Sequence, residues 1–347
     1  MGLGKRLQRR LLHEWIAGGP LVQTLRPVAA LYGLLLRLRG LFWRWGWLRV
    51  QTLPVPVIVV GNWIVGGAGK TPTTLAVLAL LKTMGIQAGV VSRGYGRALD
   101  EVALVGRDSA AAEVGDEPLL IHLRSGVPVA VGRDRVAAAR ALLQANPGVQ
   151  MLVSDDGLQH LHLPRALAIL VFDERGIGNA RVLPAGPLRQ LAVNHVAANE
   201  LVLYNAPPPS TALPGYLARR QLSGAVGLAD WWQGQPASLA QLHALRGRPL
   251  VAAAGLAQPQ RFFDMLTDQG LVFSALPLAD HHDFAELPWP PATADVLLTE
   301  KDAVKLLPER MKIGKCSTRV WVVALDFRPE HAFEQALRER IVALPRI

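Results

Sequence analysis

The stretch Gly66-Gly67-Ala68-Gly69-Lys70-Thr71 decides the fold that the sequence predicts. An apolar run over residues 55–60 precedes this loop, and apolar residues with helical spacing over 75–81 follow it. A strand, a glycine-rich loop ending in Lys-Thr, and a helix form the arrangement of a phosphate-binding loop. Glycines let backbone N–H groups approach phosphate oxygens, Lys70 supplies a positive charge, and the Thr71 hydroxyl can bind Mg²⁺. The stretch therefore predicts a nucleotide site.

One position departs from the strict pattern of such loops. The pattern Gly-x4-Gly-Lys-[Ser/Thr] requires glycine at position 64, where the chain has Ile64. The additional glycines are Gly66 and Gly67, as in the Gly-Gly-x-Gly-Lys-Thr form of some P-loop ATPases. The alternative is a glycine-rich turn with an incidental Lys-Thr, but the strand-to-helix context favours a nucleotide site.

Two adjacent carboxylates supply a second motif. The apolar run over residues 149–154 ends in Asp155 and Asp156. An acid at the carboxyl end of a buried strand is the Walker B arrangement, in which the carboxylate holds Mg²⁺. Adjacent aspartates are also good turn residues, but the upstream loop favours the metal site. His160 follows shortly after and is either close to this site or a packing residue.

Three further positions stay open on the residues alone. Arg93 follows a short apolar run and faces either phosphate or solvent. Asp116 precedes an apolar helix start, and its spacing alone favours a simple first-turn acid. The segment Asp280-His281-His282-Asp283 is either a polar surface turn or a place where a carboxylate orients one histidine.

The order of these elements predicts the fold class. Strands alternating with helices over 55–205 indicate an α/β protein with a P-loop NTPase-like, mainly parallel sheet covered on both faces. Pro207-Pro208-Pro209 marks a change of composition, after which a second α/β unit begins. We expect three parts, which are a basic amphipathic membrane-associated helical segment (1–50), a P-loop kinase domain (51–206) and a smaller α/β domain that contributes to the active-site cleft (207–347).

The net charge of +10 belongs mainly to the first part. Residues 1–50 contain nine basic residues against Glu14 alone, so they carry +8 of the +10. The single cysteine, Cys316, excludes a disulfide framework and fits a reducing compartment. No recognisable nucleic-acid-binding module surrounds the basic residues, so we expect no nucleic-acid partner.

A helix is predicted from Pro27 to about Gly40, with most of its apolar residues on one face. The charge-free stretch 27–36 is shorter than the roughly 20 residues that cross a bilayer. Arginine and tryptophan interleaved over 43–49 favour a helix that lies in the membrane interface. The alternative is an ordinary helix docked on the protein's own core.

Eight segments, taken in order, resemble the tetraacyldisaccharide 4′-kinase family, the lipid A 4′-kinases. The segments are Pro-Val-Pro-Val-Ile-Val-Val-Gly-Asn (54–62), Val-Gly-Gly-Ala-Gly-Lys-Thr-Pro (65–72), Ser-Arg-Gly-Tyr-Gly (92–96), Val-Gly-Asp-Glu-Pro (114–118), Ser-Asp-Asp-Gly-Leu-Gln-His (154–160), Leu-Pro-Ala-Gly-Pro-Leu-Arg (183–189), Asp-His-His (280–282) and Thr-Glu-Lys-Asp-Ala-Val-Lys (299–305). The resemblance covers nearly the whole chain, so it is far more specific than the loop alone.

The resemblance implies an activity and a location. A member of the family transfers the γ-phosphoryl group of ATP to the 4′-hydroxyl of an acylated glucosamine disaccharide 1-phosphate, the lipid A precursor, which gives lipid IV-A. The reaction uses Mg²⁺ and takes place at the lipid surface on the cytoplasmic face of the bacterial inner membrane, where the protein is peripheral or monotopic.

The resemblance also implies roles for particular residues. Asp116 matches the family's proposed general base and His281 its partner, which closure of two domains is expected to bring together. Asp155 and Asp156 match the Mg²⁺ pair. Residues expected near the substrate are Arg93, Arg189 and His160.

The chain departs from the family pattern at two places, and its phosphate-binding loop is also consistent with one rival function. Gln190-Leu191 stands where the family usually has Glu-Pro, which removes a carboxylate. Trp63-Ile64 replaces the usual Ile-Thr, so we expect a bulky indole beside the loop to alter nucleotide contacts. The rival is a soluble P-loop ATPase that acts as a nucleotide switch, but it leaves the arginine–tryptophan segment unexplained.

Overall fold

The computed structural model describes residues 11, 14, 15, 19–97, 100–311 and 318–344. These residues form two compact units, one built from 1–87, 149–219 and 329–347, the other from 88–148 and 220–328. The predictions that concern Cys316 and the basic residues of 1–10 lie outside the described residues. The three-part division of the chain stays a prediction.

The described helices and strands follow one another in the α/β order that the sequence predicts. The helices are α1 (Pro20–Arg44), α2 (Lys70–Thr83), α3 (Ala111–Val114), α4 (Asp116–Ser125), α5 (Arg135–Ala145), α6 (Leu228–Trp232), α7 (Leu239–His243), α8 (Gln260–Asp268), α9 (Glu300–Ala303) and α10 (His331–Val342). The strands are β1 (Val57–Gly61), β2 (Ala88–Ser92), β3 (Ala103–Val105), β4 (Val129–Val131), β5 (Met151–Asp155), β6 (Leu167–Phe172), β7 (Glu200–Tyr204), β8 (Tyr216–Gly227), β9 (Leu250–Ala254), β10 (Phe273–Pro277), β11 (Asp295–Thr299) and β12 (Arg319–Pro329).

A parallel sheet in the order β7-β6-β1-β5 forms the centre of the first unit. Every residue of β1, β5 and β6 is buried, as expected for strands with helices on both faces. The register pairs Val60 with Asp155, so the carboxyl ends of β1 and β5 lie side by side. This edge of a parallel sheet is where α/β proteins bind ligands.

The second unit contains two groups of paired strands. The order β10-β9-β11-β12 is parallel throughout, and β2 pairs parallel with β4, whose other partner β3 is antiparallel. Helix α8 packs its buried Phe262, Phe263 and Leu266 into a core that includes β9 residues such as Ala252. These strands place the turns that follow β2 and β10 and the short helix α9 within one compact unit.

Helix α1 starts earlier than predicted. It begins at Pro20 instead of Pro27, because Pro20 takes the first helical position, where a missing N–H costs nothing. Pro27 lies inside the helix and is exposed. One side of α1 docks on the first unit, where Val22 and Ala29 pack in a cluster with Trp15 and Ala185. The predicted alternative of a helix docked on the protein's own core is therefore correct for this side.

The opposite side of α1 is apolar and open. Leu31, Leu35 and Leu38 are exposed by 58%, 54% and 40%, and they lie on one stripe at helical spacing. Trp45 and Trp47, just beyond the helix, are exposed by 61% and 72%. The apolar residues of α1 thus divide into a docked side and an open stripe instead of forming one face.

By length and composition, α1 is sufficient to cross a membrane, and no other helix of the described chain is. The length of the charge-free stretch 27–36 therefore underestimates how much of α1 meets the length and composition of a membrane-crossing helix. Only 17% of its most apolar window is buried. Core helices of soluble proteins, which are mostly buried, and N-terminal signal sequences pass the same test of length and composition.

Candidate active site

The loop 66–71 joins β1 to α2 as predicted. Gly66 and Gly69 have φ angles of 91° and 93°, in the left-handed region that favours glycine. Gly69 directly precedes α2, so the chain turns into the helix at this residue. The first N–H groups of a helix lack intrahelical partners and carry partial positive charge. The loop and the helix start therefore offer the donors that phosphate oxygens need.

The Lys70 ammonium group lies over this loop. It donates to the Gly66 carbonyl oxygen at 3.2 Å and to Asn62 Oδ1 at 3.3 Å. Asn62 is fully buried directly after β1, and its Nδ2 donates to the same Gly66 oxygen at 3.2 Å. Asn62 is not among the predicted site residues, although its place at the end of a buried strand is a position that often carries binding side chains.

The acidic pair lies at the carboxyl end of β5, beside the end of β1. Asp155 is buried, and its Oδ1 accepts a hydrogen bond from Thr74 Oγ1 at 2.9 Å. Arg189 donates to both carboxylate oxygens of Asp156, at 2.8 and 3.2 Å. Lys70 Nζ lies 3.8 Å from Asp156 Oδ1. The structure thus brings the predicted residues Lys70, Asp156 and Arg189 together.

The chemistry of these side chains fits Mg²⁺. This cation takes oxygen ligands and usually binds through one or two carboxylates, with phosphate and water oxygens completing the shell. Asp155, Asp156 and the Thr71 hydroxyl supply such oxygens at the start of α2 and the end of β5. The described residues contain no group of three or more His, Cys, Asp or Glu that could hold a metal ion. Phosphate and water oxygens would complete the shell of a cation held by these side chains.

Arg175 and Asn205 hold the loop in place by donating to its carbonyl oxygens. Asp173 is fully buried and accepts hydrogen bonds from Arg175, whose Nη2 donates to the Gly67 carbonyl oxygen at 2.7 Å. Asn205, directly after β7, donates to the Ala68 carbonyl oxygen at 3.0 Å. These contacts are not predictable from the sequence, since an isolated polar residue after a strand forms no motif.

The two departures from the family pattern have local structural explanations. The Trp63 indole is 2% exposed and packs edge-to-face on Phe172, with ring centroids 5.2 Å apart. It is therefore a core residue, and the expected effect of this indole on nucleotide contacts stays a prediction. Gln190 Oε1 accepts a hydrogen bond from Gln159 Nε2 at 3.1 Å, so an uncharged amide pair occupies this position.

A second group of predicted residues lies in the second unit. Asp116 is the first residue of α4 and is 5% exposed, and its Oδ2 lies 2.8 Å from His281 Nδ1. His281 has a φ of 57°, so the loop after β10 turns sharply at this residue. Because both residues belong to one compact unit and are already bonded, the expected domain closure is not what joins them.

The environment of this pair shifts both pKa values. Burial alone would raise the pKa of Asp116, but the hydrogen bond with His281 and the charge of Lys301 outweigh it and hold the pKa below its usual 3.8. The hydrogen bond with Asp116 raises the pKa of His281 above its usual 6.5, against burial and the charge of Lys301. Asp116 is therefore ionised at neutral pH, and His281 keeps its second proton to a higher pH than a free imidazole does.

The remaining predicted residues fall in both units. Arg93 is exposed directly after β2, and Tyr95 in the same turn places its ring 5.3 Å from that of His281. His160 lies in the turn after β5, with its ring 6.4 Å from that of His162. The substrate contacts expected for Arg93, Arg189 and His160 stay predictions.

A phosphate-binding loop between strand and helix, with acids at the end of the adjacent strand, defines the chain as a P-loop phosphate-transfer protein. A family model for tetraacyldisaccharide-1-P 4′-kinase matches residues 21–342. The chain therefore belongs to the tetraacyldisaccharide 4′-kinase family, as its motifs predict, and it is a kinase.

Individual relatives agree with this assignment. The tetraacyldisaccharide 4′-kinase of Methylibium petroleiphilum is 55% identical over 97% of this chain and 95% of its own length. That of Leptothrix cholodnii is 51% identical over 99% and 98%. The crystal structure of LpxK from Aquifex aeolicus in complex with ATP has a TM-score of 0.76 at 26% identity, and the match covers 93% of this chain and 99% of that one.

Proposed function

We propose that this kinase transfers the γ-phosphoryl group of ATP to the 4′-hydroxyl of an acylated glucosamine disaccharide 1-phosphate, the precursor of lipid A, and so forms lipid IV-A. The observation that carries the proposal is the loop 66–71 beside the acidic pair, in a chain that matches the family along nearly its whole length. The rival function of a soluble ATPase switch is not favoured by these relatives.

The residues of the first unit would bind and orient the triphosphate. The N–H groups of the loop and of the start of α2 would hold the β-phosphate, and Lys70 would move from the Gly66 oxygen to the β- and γ-phosphate oxygens. Asp155, Asp156 and Thr71 would hold Mg²⁺. When bound, this cation neutralises charge on the phosphate oxygens during transfer.

Asp116 would act on the acceptor. The attacking hydroxyl must lose its proton as its bond to phosphorus forms, and an ionised carboxylate is a suitable base. His281 orients the Asp116 carboxylate through the 2.8 Å contact. The imidazole of His281 also stabilises the negative charge of the Asp116 carboxylate before this carboxylate accepts the proton.

The Asp116–His281 pair predicts that activity falls toward low pH, which gives an acid limb in the pH profile of the reaction. Asp116 is a weaker base while His281 carries its second proton, and the pKa of His281 is raised above 6.5. Activity should therefore rise with pH through an apparent pKa above 6.5. The measurement is kcat/KM from about pH 5 to 9, and His281→Asn should remove this limb. A limb that persists unchanged in His281→Asn would contradict the pairing.

The open stripe on α1 supports a place at a lipid surface. Apolar residues exposed on a helix with flanking arginines suit the interface of an anionic membrane. We infer that the protein is held on the cytoplasmic face of the bacterial inner membrane by this stripe and by Trp45 and Trp47.

Three substitutions on the stripe test this attachment. Leu31→Gln, Leu35→Gln and Leu38→Gln together remove about 3 kcal/mol of apolar burial, about a hundredfold in membrane partition. Sedimentation with anionic vesicles measures the loss. These leucines do not face the protein, whereas deletion of 1–50 would also remove the docked Val22 and Ala29.

The matched control changes three exposed leucines elsewhere to Gln, namely Leu104, Leu191 and Leu239. The control should still sediment with vesicles. If the stripe variant also sediments fully while it remains folded, attachment through the stripe is wrong.

A transfer assay tests the function itself. The purified protein is incubated in detergent micelles with ATP and MgCl₂, with and without an acylated disaccharide 1-phosphate. We expect ADP to form only with the acceptor, together with a lipid heavier by one phosphate in the mass spectrum. ADP formation that is independent of the acceptor would instead favour the ATPase switch.

A further inference from the structure

The segment Thr299–Lys305 is one of the eight that carry the family resemblance, but the proposed reaction leaves it without a role. It begins at the end of β11 and contains the short helix α9. Thr299 caps this helix by accepting from the Asp302 N–H, and the buried Asp302 is held by Gly255 N at 2.9 Å and Lys305 Nζ at 2.9 Å. These contacts fix the backbone of α9.

Glu300 fixes the helix from another direction. Its carboxylate is buried and accepts from Arg124 and from Trp231 Nε1, the latter at 3.1 Å. Its second oxygen accepts from the Leu325 N–H at 3.2 Å. The residues on both sides of Lys301 are thus anchored in the core, so the backbone from which the Lys301 side chain extends is held in place.

Lys301 points at the Asp116–His281 pair. Its Nζ lies 3.2 Å from Glu117 Oε1, 3.4 Å from Asp280 Oδ1 and 4.0 Å from Asp116 Oδ2. Glu117 and Asp116 belong to α4, whereas Asp280 belongs to the loop that carries His281. One ammonium group therefore bridges the helix that supplies the base and the loop that supplies its partner.

Lys301 contacts Asp116 and Asp280 at the same oxygens that contact His281. Asp116 Oδ2 is the oxygen that meets His281 Nδ1, and Asp280 Oδ1 accepts from the His281 backbone N–H at 3.1 Å. The side chain of Lys301 is 17% exposed, so solvent screens its charge only in part. A charge in this place acts on both members of the pair.

We propose that Lys301 is the positioning residue of the Asp116–His281 pair, which it holds together by bridging α4 to the loop of His281 and beside which it keeps a positive charge. This inference rests on the proposed function, in which Asp116 is the base. Lys301 itself does not touch the reacting atoms.

Charges of both signs surround the pair. The groups that face it are Glu117, Asp280, Lys301, Lys305 and the Tyr95 ring. The charge of Lys301 lowers the pKa of both Asp116 and His281. The neighbouring carboxylates raise the pKa of Lys301 itself, so its positive charge is permanent in the working range of pH.

The test compares Lys301→Met with Lys301→Arg. The methionine removes the charge but keeps an apolar stem, so the acid limb of kcat/KM should move upward by about one pH unit or more. On the acid side of the limb, where most of His281 carries its second proton, activity should fall by about tenfold, since one unit of pKa changes the proton-poor fraction tenfold there. Lys301→Arg keeps the charge and should restore the limb to within a few tenths of a unit.

Asp280→Asn provides a variant of opposite sign. The asparagine keeps the oxygen that accepts from the His281 N–H but removes a negative charge that raises the pKa of His281. Its acid limb should therefore move downward. The exposed Lys82→Met, outside this cluster, is the matched control and should leave the limb in place.

Titration of the His281 side chain by NMR supplies a readout that does not depend on turnover. Its pKa should rise in Lys301→Met and fall in Asp280→Asn. Circular dichroism and thermal denaturation establish that each variant is folded. An unshifted pKa and an unshifted limb in folded Lys301→Met would overturn the inference.

Different results would contradict the role of Asp116 as the base and the role of Lys301 as its positioning residue. If Asp116→Asn keeps full activity, Asp116 is not the base and the proposed mechanism fails. If Asp116→Asn is inactive while Lys301→Met has the wild-type pH profile, only the role of Lys301 fails.

Discussion

Lys70→Ala is expected to lower phosphoryl transfer by about a thousandfold or more while the fold stays intact. The ammonium group lies over the loop, 3.2 Å from the Gly66 oxygen and 3.8 Å from Asp156 Oδ1, where phosphate oxygens would displace these contacts. Removal of the Lys70 ammonium group takes away a positive charge beside the phosphate oxygens, on which negative charge is redistributed during transfer. The measurement is kcat/KM for transfer to the lipid acceptor, together with a circular dichroism spectrum.

Lys82→Ala is the matched control for this prediction. Lys82 lies in the last turn of the same helix α2 and is exposed, so its loss removes an equal charge outside the site. It should keep near wild-type activity. Full activity of the Lys70 variant would contradict the assignment of the loop.

Asp116→Asn should have the second-largest effect, a fall in kcat of about 10²–10⁴-fold, which is typical for loss of a general base. Asparagine has nearly the same shape and can still accept from His281, so the 2.8 Å contact is kept while the basic oxygen is lost. The KM for ATP should change little, because the loop and Lys70 that hold the triphosphate are untouched. Steady-state kinetics with varied ATP separate the two parameters.

Asp108→Asn, an exposed aspartate of the same unit, is the control for the change from acid to amide. It should leave kcat unchanged. An equal kcat in Asp116→Asn and the wild type would remove Asp116 from the chemistry, whereas a raised KM for ATP alone would assign it to nucleotide binding.

The strands that could be predicted are those that are buried on both faces. Continuous apolar runs placed β1 and β5 within two residues of their observed bounds. The sequence analysis missed β3, β8 and β10, because they are short or partly exposed and mix polar with apolar residues. A period-two pattern over the few residues of β3 and β10 does not stand out from a loop.

Helix α1 shows a different kind of error. Pro20 and Pro27 can each occupy the first turn of a helix, and in the structure the helix begins at Pro20, with Val22 packed in the cluster that includes Ala185. The same packing divides the apolar residues into a docked side and an open stripe. A helical wheel has no information about which neighbour a residue meets.

In the site, local motifs were predictable and distant partners were not. Lys70, Thr71 and the pair 155–156 stand in recognisable patterns next to strands. Asp116 and His281 are 165 residues apart, and family resemblance was the only ground for pairing them. Asn62 and Lys301 escaped prediction because each acts through contacts that the fold creates.

The most direct test of the account follows the fate of one phosphoryl group. ATP labelled in its γ-phosphate is supplied with the acylated disaccharide 1-phosphate, and the ADP, the free phosphate and the labelled lipid are counted in the same reaction. The account predicts one labelled lipid for each ADP, with the new phosphate on the 4′-oxygen by tandem mass spectrometry and ³¹P NMR. Release of the label as free phosphate, or a label at another position of the sugar, would contradict it.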